Sequence, residues 1–170
     1  MRTFFALKPS MVTALAIEAW RQLSWPLLQR PIPAANYHLT LAFLGDISTS
    51  QLEYLTECAA SLEGGEISLT LDTLGYWNKP QILWLGPAIH PRELLDLAQR
   101  LKLSVGNCGL KIEKRTYQPH LSLARRVSPE PAAALTPPQF KCHFDSFALY
   151  ESQQGRAGVH YCEVEAWPLL

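Results

Sequence analysis

Long apolar runs, a surplus of either charge and clustered cysteines are all missing from this 170-residue chain. Hydrophobic residues make up 48% of it, yet they are scattered and never fill the roughly 20 consecutive positions that a membrane-spanning helix needs. Lys and Arg number 15, and so do Asp and Glu. That balance excludes a protein that coats polyanions in bulk, because non-specific nucleic-acid affinity is carried by a basic surplus; a local basic site stays open. Cys58, Cys108, Cys142 and Cys162 are spaced too widely for a metal knuckle or a redox pair and are expected to be reduced, mostly buried thiols. At the start of the chain Arg2 alone precedes an apolar stretch that is too short for a signal peptide, so the expected compartment is the cytoplasm. The glycines form no phosphate-binding loop and no helix carries a zinc-type His-Glu pair, which disfavours kinase and dinucleotide chemistry.

What is present is an internal repeat. Tyr37-His38-Leu39-Thr40-Leu41-Ala42 recurs as Pro119-His120-Leu121-Ser122-Leu123-Ala124, an offset of 82 residues. The same offset carries Pro9 onto Pro91, and each proline suits the first turn of a helix. Val12, Leu15, Ala16, Ala19 and Leu23 then form one helical stripe, matched by Leu94, Leu97, Ala98, Leu101 and Val105. Extended apolar runs, Phe4 to Leu7 and Ile82 to Leu85, precede the two helices. Each half therefore reads strand, helix, His-strand. Ser48 to Glu63 is a further helix with a capping box at its start and Gly64-Gly65 beyond its end. Its counterpart, Val127 to Gln139, holds Pro129, Pro131, Pro137 and Pro138 and is expected to be an exposed loop. Ile67 to Trp77, Gln81 to Gly86, Phe140 to Glu151 and Val159 to Glu165 read as strands. The expected fold is α+β, a single bilobal domain over residues 1–170 with two pseudo-symmetric lobes. Each lobe is an antiparallel sheet with flanking helices, and the site lies in the cleft between them.

Side chains alternate along a strand, so His38, Thr40 and Ala42 share one face while Leu39, Leu41 and Phe43 share the other. In the second copy His120, Ser122 and Ala124 lie opposite Leu121 and Leu123. An imidazole and a hydroxyl about 6.6 Å apart along a strand reach the oxygens of one phosphate. Two such pairs suit acid–base displacement at phosphorus, in which one histidine takes a proton from the attacking oxygen and the other protonates the departing oxygen. Thr40 and Ser122 would then hold the non-bridging oxygens, with Arg125 as a charged partner. Strand alternation puts Arg125 on the leucine face, so its role needs a twist, bulge or strand end.

One histidine in one strand is better explained as a structural or surface residue. Its repetition together with a small hydroxyl, on the face that core packing does not use, favours chemistry. Lys111 to Arg126 carries a local charge of +4 and would form a positive rim for an anionic substrate such as an RNA end, with Tyr117 or another aromatic for base stacking. His90, His143 and His160 lack a repeated partner, and Trp20, Trp25, Trp77, Trp84 and Trp167 read as core or lobe-interface residues.

His38-Leu39-Thr40-Leu41 and His120-Leu121-Ser122-Leu123 resemble the paired His-x-Thr/Ser-x motifs of the 2H phosphoesterase superfamily. Over its whole length the chain looks like that superfamily's bacterial and archaeal RNA 2',3'-cyclic phosphodiesterases, long called 2'-5' RNA ligases. Arg2 to Leu7, Asn36 to Gly45, Leu83 to Gly86, Pro119 to Arg125 and Leu149-Tyr150 carry the likeness; Ser122 stands where the family usually has Thr. The resemblance implies an enzyme that opens 2',3'-cyclic phosphate ends of RNA or nucleotides to a 2'-phosphate, without a metal or cofactor. It also implies that His38 is the proton donor and His120 the acceptor, an asymmetry the residues themselves leave open, and it assigns Arg125 to the substrate. A monomer without membrane contact is expected. The alternatives are a ligase that forms 2'-5' bonds on the same residues, and a non-catalytic module that binds RNA ends.

Overall fold

The computed structural model describes residues 2–170. In chain order the elements are β1 (Arg2–Leu7), α1 (Met11–Ser24), β2 (Arg30–Pro31), a 3-10 turn (Ala34–Asn36), β3 (Leu39–Asp46), α2 (Thr49–Ser61), β4 (Ile67–Leu71) and β5 (Thr73–Trp77). There follow β6 (Ile82–Gly86), α3 (Arg92–Asn107), β7 (Leu121–Arg125), β8 (Phe140–Phe144), β9 (Ser146–Gly155) and β10 (Gly158–Pro168). One four-stranded sheet has the order β10-β9-β1-β3 and the other β2-β7-β6-β5, with all pairings antiparallel.

The pseudo-symmetry expected from the repeat is visible in the strand order. β9-β1-β3 corresponds to β5-β6-β7, with α1 and α3 as the equivalent helices. The stretches that read as single long strands each break at an aspartate, Asp72 and Asp145, and change sheets there. β4 and β8 pair with each other as a separate two-stranded ribbon, and β5 and β9 continue into opposite sheets. The inward residues of both sheets join one core that runs from Phe5, Leu7 and Leu39 to Leu85, Leu97 and Leu121. A smaller cluster, Phe4, Ala6, Ala148 and Tyr150 with Tyr161 against it, occupies the other face of the first sheet. Among the described residues no helix is long and apolar enough to cross a membrane.

α2 starts as its sequence dictates. The Ser48 hydroxyl accepts from the Gln51 N–H, and the Gln51 side chain accepts from the Ser48 N–H at 3.0 Å. α3 buries Leu94, Leu97, Ala98, Leu101 and Val105 as its period requires.

α1 departs from expectation. Its buried residues are Ala14, Ile17, Trp20 and Arg21, whereas Val12 is 82% and Leu23 72% exposed, and Leu15, Ala16 and Ala19 face water with them. Ala14, Ile17 and Arg21 correspond to Leu94, Leu97 and Leu101, an offset of 80 and not 82. A slip of two residues turns a helix face by about 200°, which places the expected stripe outside. The face that wins carries Trp20, whose indole N–H donates to the Thr136 carbonyl at 2.9 Å, while Trp25 just beyond the helix donates to Ala132 at 2.8 Å. The proline-rich segment is exposed as expected, but it is fastened to this end of α1. Neither proline opens a helix as its first residue: Ser10 caps α1 with its hydroxyl, and Pro91 occupies the cap position of α3. The four cysteines are free as expected, but Cys142 alone is buried and the other three are only partly so.

Candidate active site

His38 and His120 each stand one residue ahead of a strand, β3 and β7. Each ring donates from Nδ1 to the carbonyl two residues back, His38 to Asn36 and His120 to Gln118, both at 2.8 Å. Because a carbonyl only accepts, this fixes the proton of the neutral ring on Nδ1 and leaves Nε2 as the reactive nitrogen. The Asn36 residue is itself held, since its side-chain amide donates to the Val159 carbonyl of β10 at 2.8 Å. Nε2 of His38 lies 3.0 Å from Oγ1 of Thr40, so the imidazole and hydroxyl share a face as alternation requires.

Alternation fails two residues later, in the same way in both copies. Against β1, Thr40 pairs with Ala6 and Ala42 with Phe5, leaving Leu41 as an extra residue. Against β6, Ser122 pairs with Trp84 and Ala124 with Leu83, leaving Leu123 extra. A bulge inverts the facing of everything after it. Leu121, Leu123 and Ala124 are therefore all buried and Arg125 emerges on the histidine side, which supplies the irregularity its expected role needed. In β3 the equivalent position is Phe43. It does not share the leucine face; it is 59% exposed, with its ring 6.1 Å from that of Phe4, while Leu44 turns inward.

Aromatic rings wall both imidazoles. His38 lies 4.8 Å from Phe4 and 5.0 Å from Tyr161, ring centre to ring centre. His120 lies 4.6 Å from Trp77 and 6.2 Å from Trp84. Trp77 and Trp84, expected as core or lobe-interface residues, are only half-buried and line the candidate site beside His120. Trp84 fits because its cross-strand neighbour is Gly75, where a Cβ would come within 2.1 Å of the indole carbons. Period-2 spacing carried this signal: Trp84 alternates with the buried Leu83 and Leu85, as Phe4 does with Phe5.

Burial makes charge on either ring expensive. It pushes the pKa of His38 down to about 4, helped by the positive fields of His120, Arg125 and Lys8 and opposed by the Asn36 carbonyl. His120 is lowered by burial first and by Arg125 next, against the pull of the Gln118 carbonyl. The two rings and Arg125 are therefore within electrostatic reach of one another. Lys8, which follows β1, joins them although nothing in the repeat marks it.

The rest of the expected rim behaves differently. Arg115 pairs with Glu113 at 3.3 Å on the exposed loop before β7. Tyr117 is not available for stacking, because it packs on the core and its hydroxyl donates to the Thr40 carbonyl at 2.8 Å, tying the second lobe to the first. Among the described residues no three His, Cys, Asp or Glu side chains converge to hold a metal ion.

Fold and paired motifs are those of the two-histidine phosphoesterases. The chain belongs to the 2'-5' RNA ligase superfamily, whose family model matches residues 9–156. It is 33% identical over 171 residues to the RNA 2',3'-cyclic phosphodiesterase of Escherichia coli strain K12, covering 99% of this chain and 96% of that protein. A protein of the same name from Thermus thermophilus is 29% identical, covering 99% and 90%. Among solved structures, Escherichia coli LigT complexed with 3'-AMP superimposes with a TM-score of 0.91 at 33% identity, over 99% of this chain and 97% of that one.

Proposed function

We propose that this protein hydrolyses the 2',3'-cyclic phosphate ends of RNA, leaving a 2'-phosphate, by acid–base catalysis between His38 and His120. One observation carries the reading: two imidazoles from repeated motifs, each locked by an Nδ1 donation to a carbonyl, keep Nε2 for chemistry, that of His38 beside the Thr40 hydroxyl, and share the field of Arg125. His120 Nε2 accepts the proton of the attacking water as its oxygen bonds to phosphorus. The bond from phosphorus to the ribose 3'-oxygen breaks, and His38 Nε2 delivers its proton to that oxygen. Each turnover leaves His120 protonated and His38 neutral, and proton exchange with solvent resets them. Charge that builds on the non-bridging oxygens is met by the hydroxyls of Thr40 and Ser122 and by the guanidinium of Arg125, whose paired donors match a phosphate. Phe43, exposed on the same side of its strand, offers a flat face for the terminal base. The reaction uses no metal: a general base and a general acid replace a metal-bound hydroxide.

His38 must carry a proton to act as the acid, and in the free protein its surroundings oppose that. The phosphodiester anion supplies the opposite charge that the free site lacks, so substrate itself brings the pair into its productive state. The test is incubation of purified protein with a cyclic-phosphate oligoribonucleotide in EDTA, followed by identification of the product end. A 2'-phosphate end is expected. A 3'-phosphate end, or activity lost on chelation and regained with a divalent ion, would refute the mechanism.

A further inference from the structure

The pseudo-symmetry of the two sheets breaks at one edge. β3 ends the first sheet, whereas β7 is flanked by an extra strand, the two-residue β2. Its register sets Arg30 directly opposite Arg125 and Pro31 opposite Ala124, and the Ile32 N–H continues the ladder to the Leu123 carbonyl at 2.9 Å. Directly opposed residues of an antiparallel pair project from the same face, so Arg30 stands on the side of Arg125. It lies one strand, about 5 Å, from Arg125. Like charges placed opposite one another destabilise a sheet. Both arginines are exposed and neither meets a carboxylate among the described residues.

Two residues of edge pairing do not hold a strand in place, and this one is fastened from beneath. Arg21 of α1, only 4% exposed, donates to the Ile32 carbonyl and to the Tyr37 hydroxyl, the latter at 2.6 Å. The Glu18 carboxylate accepts from the Ala34 N–H at 2.7 Å. The same arrangement turns α1 so that Arg21 faces inward while an apolar stripe faces water. A buried cation thus secures a strand whose exposed contribution is a second, unpaired cation beside the phosphate-binding arginine.

We infer that Arg30 binds the backbone phosphate adjoining the terminal nucleotide, so that an RNA strand of two or more nucleotides is a better substrate than a free cyclic mononucleotide. This rests on the hydrolase reading above. Arg125 directs donors at the reacting phosphate, and Arg30 takes the next phosphate along the strand. The anion removes the repulsion that the empty pair carries.

The test compares Arg30→Gln with the unaltered protein on two substrates, adenosine 2',3'-cyclic phosphate and a short oligoribonucleotide with a cyclic-phosphate end. Loss of one charge-assisted contact should lower kcat/KM for the oligonucleotide by about tenfold or more and leave the mononucleotide unaffected. The dependence of log(kcat/KM) on log[salt] for the oligonucleotide should become shallower by about 0.7. Arg30→Lys should keep the salt dependence while recovering only part of the rate. Equal losses on both substrates, or no loss on either, would overturn the inference. Should the unaltered protein turn over neither substrate, the hydrolase reading fails. Binding of the 2'-phosphorylated oligonucleotide and of 2'-AMP then decides the role of Arg30: a loss confined to the oligonucleotide supports it, and any other pattern rejects it.

Discussion

Binding of the substrate should move the pH optimum upward, because the free site disfavours the imidazolium that catalysis requires. His38 falls from 6.5 to about 4, so at pH 7 only about one free molecule in a thousand carries its proton. The difference corresponds to roughly 3 kcal/mol, which sets the scale of what the bound phosphodiester must offset. kcat/KM reports the free protein. It should be bell-shaped, peak on the acid side of 6.5 between the two lowered values, and fall about tenfold per pH unit well above its optimum. Its two apparent pKa values belong to the coupled pair. kcat reports the complex, in which the anion favours both imidazolium forms, and its optimum should lie at higher pH. The same shift has a thermodynamic consequence. As pH falls from 6.5 towards 4, the unfolded chain takes up a proton at residue 38 that the folded protein refuses, so stability declines across that window. The assay is kcat and kcat/KM against pH on a cyclic-phosphate oligonucleotide, with urea unfolding of the free protein over the same range. A kcat/KM optimum above pH 7, or coincident optima for the two parameters, would refute the argument.

Three sets of substitutions test the site from other directions. His38→Ala and His120→Ala should each reduce turnover about 100-fold to 10,000-fold while the unfolding transition remains cooperative, since neither ring belongs to the main core; near-full activity in either variant would remove that residue from the mechanism. Gly75→Ala drives a methyl group into the Trp84 indole and should cost about 1–3 kcal/mol in urea unfolding, with activity falling as Trp84 shifts against His120. Phe43→Ala should weaken oligonucleotide binding by about 1–3 kcal/mol, measured as KM, without altering thermal stability, because the ring is largely exposed.

Local periodicity made much of this protein legible in the sequence. The inward leucines of the two His-strands, the buried face of α3 and the capping box of α2 each depend on residues close to one another along the chain. The repeated histidine and hydroxyl stood out because packing gives no reason to repeat them. The buried face of α1 was decided elsewhere: its orientation depends on Arg21 reaching Ile32 and Tyr37, and on Trp20 reaching a loop more than a hundred residues away in the chain. The bulges at Leu41 and Leu123 are properties of strand pairing and not of a strand, so their effect on Phe43 and Arg125 appears only when β1 and β6 are in register beside them. Tyr117 and the aromatic walls follow the same rule, since each is defined by a partner in another strand. The sequence determined which side chains could do the chemistry, because side-chain type and period are encoded locally. Tertiary structure decided which of them meet, because a one-residue bulge or a two-residue slip inverts a face without changing a single letter.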